Sequence, residues 1–522
     1  MFARAFAYVS CEIVIRNMKT KKLRTVSPSD WVMGRPYETA DAVDRYYAGL
    51  ATKVMNMLRR SCISDAFQED VDLYESAKCL TGWFEDLCSD TGIWHVANEE
   101  YRRRYGAVLP FYDVTEYYEG EPNVQDLQLL LWHLVQTLRG AHEGRLINPE
   151  NPGIAMVAAD LCRLFEGEYE TAPVNTRLYD FIHNPGLSTD WWACRNLMHW
   201  FALSSFINPC KLSLLEDEVF DHLEEAEEDS SKWAAPFFYE LTLKSCFADR
   251  DNLLSMTVPQ WCGLITGVDD LLSCRRQAPS VYCYMGRDDS QFTLRDECDG
   301  TLYKVENDSL EDQSVLDDLV KGVSKVYVSL STFGKRLYLC GIMLPADEDK
   351  AREELMEGIR MSRKAKAEAP KLKSRFLEAS KGASMLFFKD MDATRRYLEK
   401  TMHLGADILC SEDMGDDMKG CVTLMCDDER GLMLMGGMTR CIAAPDNPYY
   451  DKTFAEKNAI NLFVNNDVVS YGMACDLIDK GYLPDAVMNS VEGSDHGLAF
   501  VRRHGQFFLD YFHQRYQGDS LQ

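Results

Sequence analysis

The chain has 522 residues, which at about 150 residues per domain predicts about two to four domains with sizeable hydrophobic cores. Hydrophobic residues make up 46% of the chain and charged residues 27%, so the composition excludes a disordered chain and a polytopic membrane protein. Acidic residues outnumber basic residues, 83 against 56, for a net charge of -27. This charge repels phosphate polyanions and anionic membranes, which argues against both as partners.

Residues 40–278 are predicted to be helical, since apolar residues recur there at spacings of three and four without sustained alternation. Thr39 is the predicted N-cap of the first helix, whose apolar stripe runs from Val43 to Leu58. The later helices are predicted at about 65–88, 92–105, 124–140, 152–169, 189–206, 214–228, 231–247 and 257–272. An all-α domain over 18–278 follows from this pattern.

Short β-strands are predicted after this helical part, because β-branched and aromatic runs alternate with turn residues. They lie at 281–284, 292–294, 301–305, 323–330 and 335–343, and Thr332, Phe333 and Gly334 form the predicted turn between the last two. Strands this closely spaced predict a small antiparallel sheet or barrel over 279–346.

A charged linker helix is predicted over 347–381, followed by an α+β domain over 382–522. The domain's predicted strands lie at 383–388, 422–426 and 432–435, and its helices lie at 392–404 and from Tyr450, Asp467 and Ala499. The predicted fold class is therefore a multidomain α+β protein, with a mainly α-helical N-terminal half, a small antiparallel β module and a C-terminal α+β domain.

The cysteines and the first residues bear on the cellular compartment. Most of the 18 cysteines stand singly in apolar helical surroundings, where a reduced thiol acts as a small hydrophobic group, so we expect a cytoplasmic protein. No apolar run is long enough to span a membrane. Residues 1–17 resemble a signal peptide only weakly, because Glu12 and Arg16 interrupt their apolar stretch. We interpret them as a translated extension upstream of Met18.

Several stretches of the chain resemble one family of proteins. They are Trp31, Arg35–Tyr37, Asp41–Leu50, Thr91–Trp94, Leu109–Asp113 with Tyr117 and Tyr118, Asn447–Asp451 and Tyr482–Asp485. With these residues the chain resembles the uncharacterised bacterial family catalogued as domain of unknown function 3843, known chiefly from gut anaerobes of the Bacteroidales. The resemblance covers nearly the whole chain from Met18. It implies a cytosolic bacterial protein, and no activity, substrate or catalytic residue comes with it.

Known signatures of catalysis and cofactor binding are absent from the sequence. There is no GxSxG, Walker, HExxH, GxGxxG or CxxC pattern, so we predict neither a cofactor nor a metal centre. Cys421 and Cys426 lie on a predicted strand that points them to opposite faces. The C-terminal histidines, His496, His504 and His513, are predicted to be solvated. Cys194 and His199 lie too far apart around their helix to form a catalytic pair, and we expect both in the core.

Charged residues give weaker signals. Asp288 and Asp289 are interpreted as turn formers. The stretch 214–229 carries nine acids and no base, which indicates an exposed helix face, whereas Lys350–Arg375 has a net charge of +5, from nine basic and four acidic residues. This basic helix has no interleaved aromatic residues, so nucleic-acid binding is disfavoured, and pairing with the acidic face explains the pattern equally well.

Two loops are the best candidates for a binding surface, because Tyr is enriched where partners dock. Their residues are Phe111, Tyr112, Asp113, Tyr117 and Tyr118 in the first loop and Tyr449, Tyr450 and Asp451 in the second. The alternative interpretation is that buried aromatic residues merely hold both loops in place.

Two hypotheses of function follow. The leading hypothesis is a cytosolic bacterial interaction or regulatory protein that binds a protein partner and has no catalytic activity. The alternative is a hydrolase-like enzyme that uses carboxylates such as Asp288, Asp289 or Asp451, at a site between the β module and the C-terminal domain. A deep pocket around one of these acids would favour the enzyme.

Overall fold

The computed structural model describes residues 25–67, 69–140, 146–209, 215, 219, 234–247, 253–310, 312–346, 348–405, 420–427, 430–465, 468–484 and 494–513. The predicted extension at 1–17 and nearly all of the predicted acidic helix at 214–228 lie outside the described residues. The predicted fold class is confirmed: helices dominate the first half, small antiparallel sheets follow, and the C-terminal part is α+β.

The N-terminal helices pack through large aromatic residues. Their bounds are α1 Pro28–Met33, α2 Ala42–Arg60, α3 Asp70–Ser89, α4 Ile93–Tyr105, α5 Val124–Val135, α6 Pro152–Tyr169, α7 Thr176–Ile182, α8 Trp191–Ser204, α9 Ala234–Cys246, α10 Val258–Thr266 and α11 Asp269–Leu272. Trp83 of α3 meets Trp94 of α4 edge to face at 6.4 Å between ring centroids, and Phe84 stacks on Phe165 of α6 at 4.6 Å. Such aromatic pairs stabilise the core beyond the area they bury.

Some predicted helix ends were wrong. Asp41, not Thr39, caps α2, since its carboxylate accepts hydrogen bonds from the amides of Val43 and Asp44. In turn, the Asp41 amide donates to the Asp44 carboxylate, which completes a capping box. The predicted helix 257–272 is two helices, because Gly267 adopts a left-handed conformation that ends α10. The short helices α1 and α7 were not predicted.

The β part consists of two small antiparallel sheets. The strands are β1 Arg275–Arg276, β2 Ser280–Arg287, β3 Gln291–Asp296, β4 Leu302–Glu306, β5 Lys325–Val328, β6 Leu330–Phe333, β7 Arg336–Leu339 and β8 Leu344–Pro345. One sheet has the order β4-β3-β2-β5-β8 and the other β1-β6-β7. Strand β7 also packs beside β4, so the two sheets curve around one core that holds Tyr282, Phe292 and Leu339.

Two details of the predicted β module were wrong. The single strand expected at 323–330 is divided at Ser329, where the chain passes from the first sheet into the second. Thr332 and Phe333 belong to β6 rather than to a turn, since Phe333 pairs with Arg336. The turn is therefore Gly334 and Lys335, and Gly334 has a left-handed φ of 59°.

The helical part and the β part belong to one compact unit, made of the described residues within 25–138 and 149–356. Trp191 of α8 stacks on Tyr338 of β7 at 4.8 Å between ring centroids, and the Trp192 indole donates to the Asp308 carbonyl at 2.6 Å. The finer boundary at 278/279 stays a prediction.

The second unit comprises the described residues within 139–148 and 357–513. Its elements are α12 Asp349–Ala379, which starts in the first unit, β9 Met385–Phe388, α13 Met391–Lys400, β10 Val422–Asp427, β11 Gly431–Met435, α14 Lys452–Asn458, α15 Asn461–Val464, α16 Tyr471–Asp479, α17 Ser494–Arg503 and α18 Gly505–Phe512. Strand β10 lies between β9 and β11. The helix expected from Ala499 is two helices that meet at His504. Within the described parts of the chain, no helix has both the length and the apolar character needed to cross a membrane.

Candidate functional site

The first candidate loop, residues 110–121, connects α4 to the segment before α5 and is anchored by half-buried aromatic rings. Phe111 meets the buried Trp132 of α5 edge to face, with ring centroids 5.3 Å apart. The Tyr112 hydroxyl donates to the Pro149 carbonyl at 3.1 Å. Both side chains therefore fix the beginning of the loop onto the helical core rather than projecting freely.

A buried polar network fixes the end of the loop. The Tyr117 hydroxyl donates to Asp126 Oδ1 at 2.9 Å and accepts from Asn98 Nδ2 at 2.7 Å. Asn123 Nδ2 donates to the other Asp126 oxygen at 3.3 Å, and Asn123 Oδ1 accepts from the Tyr118 amide at 3.1 Å. The Asp126 carboxylate thus binds residues on both sides of the turn that joins the loop to α5.

Asp126 is the buried carboxylate of this network, and its pKa is strongly raised. Asp126 is only 1% exposed, and this burial raises the pKa of its carboxyl to about 7. The hydrogen bonds from Tyr117 and Asn123 lower the pKa but do not offset the burial. The carboxyl therefore changes its charge near neutral pH, which an exposed aspartate does not do.

Tyr118 is the one predicted aromatic residue of this loop that the structure leaves open to solvent, at 65% exposure. Acidic side chains surround it in the chain: Asp113, Glu116, Glu119 and Glu121 are all exposed. Asp113 uses its carboxylate within the loop, where the hydroxyl and amide of Thr115 donate to it and lower its pKa. The loop accordingly presents an aromatic ring in an acidic setting.

Basic residues beside this loop lie on a helix. Arg102, Arg103 and Arg104 occupy the last turn of α4, a position that favours positive charge. Arg102 pairs with Glu99, and its Nη2 lies 2.6 Å from Glu119 Oε2. The hydrogen bond from Arg102 holds the pKa of Glu119 below its usual range.

The second candidate loop, residues 447–451, is held by hydrogen bonds between its side chains and backbone groups. Asn447 is buried, donates to the carbonyls of Thr439 and Ile442 at 2.8 Å each, and accepts from the Tyr449 amide. Tyr449 is half-buried and Tyr450 is 36% exposed. Asp451 is the N-cap of α14, and the amide of Phe454 together with an ion pair to Arg440 lowers its pKa.

The acids proposed for catalysis lie in solvated places. Asp288 is exposed, and the amides of Ser290 and Gln291 donate to it and lower its pKa, as expected of a turn-forming aspartate. Asp289 is exposed as well.

Cys194 is buried in the core, as predicted, whereas His199 is half-buried on the same helix. The Cys194 thiol donates to the Leu187 carbonyl at 3.0 Å, and burial raises its pKa to about 12. Burial lowers the pKa of His199 to about 3. The expectation that the C-terminal histidines are solvated was wrong for His513: it is buried, donates to the Phe463 carbonyl at 2.6 Å, and has its pKa lowered by burial to about 4.

The structure also reveals two clusters that sequence reasoning missed. In the first, Glu85 is fully buried, pairs with Arg35 and accepts from Asn175, whose side chain also donates to the Tyr37 hydroxyl at 2.8 Å. These partners are far apart in the chain, so no local pattern could have indicated them. In the second cluster, His95 and Glu99 lie one helical turn apart on α4 and face Glu119. The spacing of four residues indicates that His95 and Glu99 share a helix face, but it gives no sign of Glu119.

The comparisons with known proteins give one match. A family model described as "Protein of unknown function (DUF3843)" matches residues 25–309 and 345–514. The chain belongs to this family. The DUF3843 match includes both candidate loops and α4, and residues 310–344, which carry β5, β6 and β7, lie outside it. No curated protein and no solved structure matches the chain.

Proposed function

We propose that this DUF3843 protein is a cytosolic bacterial interaction protein that binds a protein partner through the 110–121 loop and has no catalytic activity. The observation that carries the proposal is the contrast within the loop. Tyr112 and Tyr117 are hydrogen-bonded to the helical core, whereas Tyr118 is exposed. Because these hydrogen bonds already fix its backbone, the loop loses little conformational entropy on binding. An exposed Tyr is a common anchor at interfaces.

The charge around Tyr118 supports a basic partner. Glu116 and Glu121 are exposed, and the chain as a whole carries a net charge of -27. A surface of one sign steers partners of the opposite sign and accelerates their association at low salt. The partner surface that fits best combines Lys or Arg side chains with an apolar pocket for the tyrosine ring.

The test is recovery of the partner by the intact protein and by two tyrosine variants. Tyr118→Ala is expected to lower the recovered partner at least about tenfold, because interface anchors cost 2 kcal/mol or more on truncation. Tyr179→Ala is the matched control, since Tyr179 is also exposed and lies on α7 away from the loop. Equal amounts of partner recovered with Tyr118→Ala and Tyr179→Ala would contradict the proposal.

The second loop is the lesser candidate because the side chains of Asn447 and Asp451 are already hydrogen-bonded to nearby backbone groups. Tyr450→Ala in the same recovery experiment measures what this loop contributes. A deep pocket around one of the proposed acids would favour the enzyme alternative, whereas Asp288 and Asp289 are exposed and Asp451 is half-buried as a helix cap. Turnover that survives Tyr118→Ala but is lost on changing one of these acids would restore the enzyme hypothesis.

A further inference from the structure

We propose that His95, Glu99 and Glu119 form a binding site for a divalent transition-metal ion at the base of the 110–121 loop. The inference is independent of the proposed function, because it rests on the positions of three ligand atoms and not on a partner. Within the part of the chain that the structure describes, these residues are the one group of three whose ligand atoms converge.

The geometry brings the three ligands from two elements. His95 and Glu99 are four residues apart on α4, so they lie on the same face of the helix. Glu119 comes from the loop, with its Oε1 2.9 Å from His95 Nδ1. One ligand atom of each residue lies within 4.8 Å of the others. Because metal–ligand bonds are about 2.0–2.2 Å long, small movements of these three exposed side chains would bring them around one ion. Their present contacts with each other and with Arg102 would be exchanged for bonds to the metal.

The donor set selects the class of ion. An imidazole nitrogen with two carboxylates suits zinc, cobalt or nickel, whereas magnesium and calcium prefer oxygen ligands alone. Three protein ligands leave one position of a tetrahedral site for water. The ion would be bound at the surface, since all three ligand residues are exposed.

Arg102 now occupies the place of the cation. Its guanidinium pairs with both Glu99 and Glu119, so one positive charge already balances one of the two negative charges. A divalent ion must displace this group. The Arg102 side chain is 41% exposed and can swing into solvent, and the ion brings two positive charges where the guanidinium brings one. Competition with Arg102 therefore sets the affinity, and removing the guanidinium should strengthen metal binding.

The bound ion would tie the loop to α4. Glu119 follows Tyr118 directly, and α4 is a rigid element of the helical core, so the metal would restrict the segment that carries the exposed tyrosine. This effect adds a readout that does not depend on a partner. Amide hydrogen exchange across 113–121 is expected to slow when the ion is bound.

The experiment titrates Co2+ into the metal-stripped full-length chain, because the chain has 18 cysteines and the absorption of Co2+ distinguishes thiolate ligands from nitrogen and oxygen ligands. His95→Asn is expected to weaken the nitrogen- and oxygen-ligated site at least about tenfold. Arg102→Gln is expected to tighten it several-fold. His403→Asn is the matched control, since His403 is exposed, lies in the second unit and has a left-handed φ of 51° that Asn tolerates.

Each result decides the proposal. Weaker binding by His95→Asn, tighter binding by Arg102→Gln and unchanged binding by His403→Asn together support the site. Equal affinity of His95→Asn and the unmodified chain overturns it, as does a spectrum that shows thiolate ligation alone. Failure to bind Co2+ after Arg102→Gln, with the circular dichroism of the chain unchanged, overturns it as well.

Discussion

At the scale of single residues, Asp126 makes the stability of the protein depend on pH. The pKa of its carboxyl is about 7 in the folded chain, against about 3.8 for an unperturbed aspartate. Between these values the folded state keeps a proton that the unfolded state releases. The contribution of Asp126 to stability is therefore full below about pH 4, declines as the pH rises, and is lost above about pH 7.

Asp126→Asn keeps the shape of the side chain without a charge that titrates. We expect its Tm to exceed that of the unmodified chain at pH 8, with the difference shrinking towards pH 5, because each pKa unit corresponds to about 1.4 kcal/mol. Thermal unfolding at several pH values measures the difference. Asp180→Asn, at an exposed aspartate of α7, is the control and should show no such trend. A constant difference for Asp126→Asn across this range would contradict the assignment.

The same network shows what sequence could and could not predict at a site. Tyr117 and Tyr118 stood out because aromatic residues gather in a loop flanked by proline. Their opposite environments could not be predicted, since the partners of Tyr117 are Asn98 and Asp126 on two different helices. The environment of a side chain depends on how helices meet, and periodicity within one helix carries no information about that.

At the scale of elements, Asp451 is a helix cap whose role can be separated from its charge. Its carboxylate accepts from the Phe454 amide at the start of α14. Asp451→Ala removes this bond and is expected to lower the Tm of the second unit by a few degrees, whereas Asp451→Asn caps nearly as well and should change it little. Calorimetry of both variants is the measurement. Equal losses would mean that the ion pair with Arg440, and not the cap, holds the loop.

Helices were predicted better than strands because apolar periodicity survives over many turns. The bounds of α6, Pro152–Tyr169, agree with the predicted range, since Asn151 and the proline mark its start. The prediction for 323–330 failed because a stretch rich in β-branched and aromatic residues looks the same in sequence whether it forms one strand or two strands in different sheets. Ser329, where the chain changes sheets, carries no turn signal, and the division depends on the pairing of β5 with β2 and of β6 with β1 and β7.

At the scale of the whole molecule, the β part completes the core of the helical part. Trp191 of α8 is buried against Phe333 and Tyr338, which both come from the second small sheet. A large aromatic side chain buries about 150–250 Å², so removing the strands would expose an apolar surface on α8. The two parts share one hydrophobic interior even though their sequence patterns differ.

A fragment of residues 25–278 should therefore be unstable alone, whereas residues 25–356 should fold cooperatively. The shorter fragment keeps α8 but loses Phe333, Tyr338 and the Asp308 carbonyl that the Trp192 indole binds. We expect it to aggregate or to bind hydrophobic dyes, and we expect the longer fragment to give one sharp calorimetric transition. Trp192→Phe in the longer fragment removes the hydrogen bond to Asp308 and is expected to cost about 1 kcal/mol. If residues 25–278 fold with the same Tm as residues 25–356, the helical and β parts are separate domains, and the contacts of Trp191 contribute little to the stability of either.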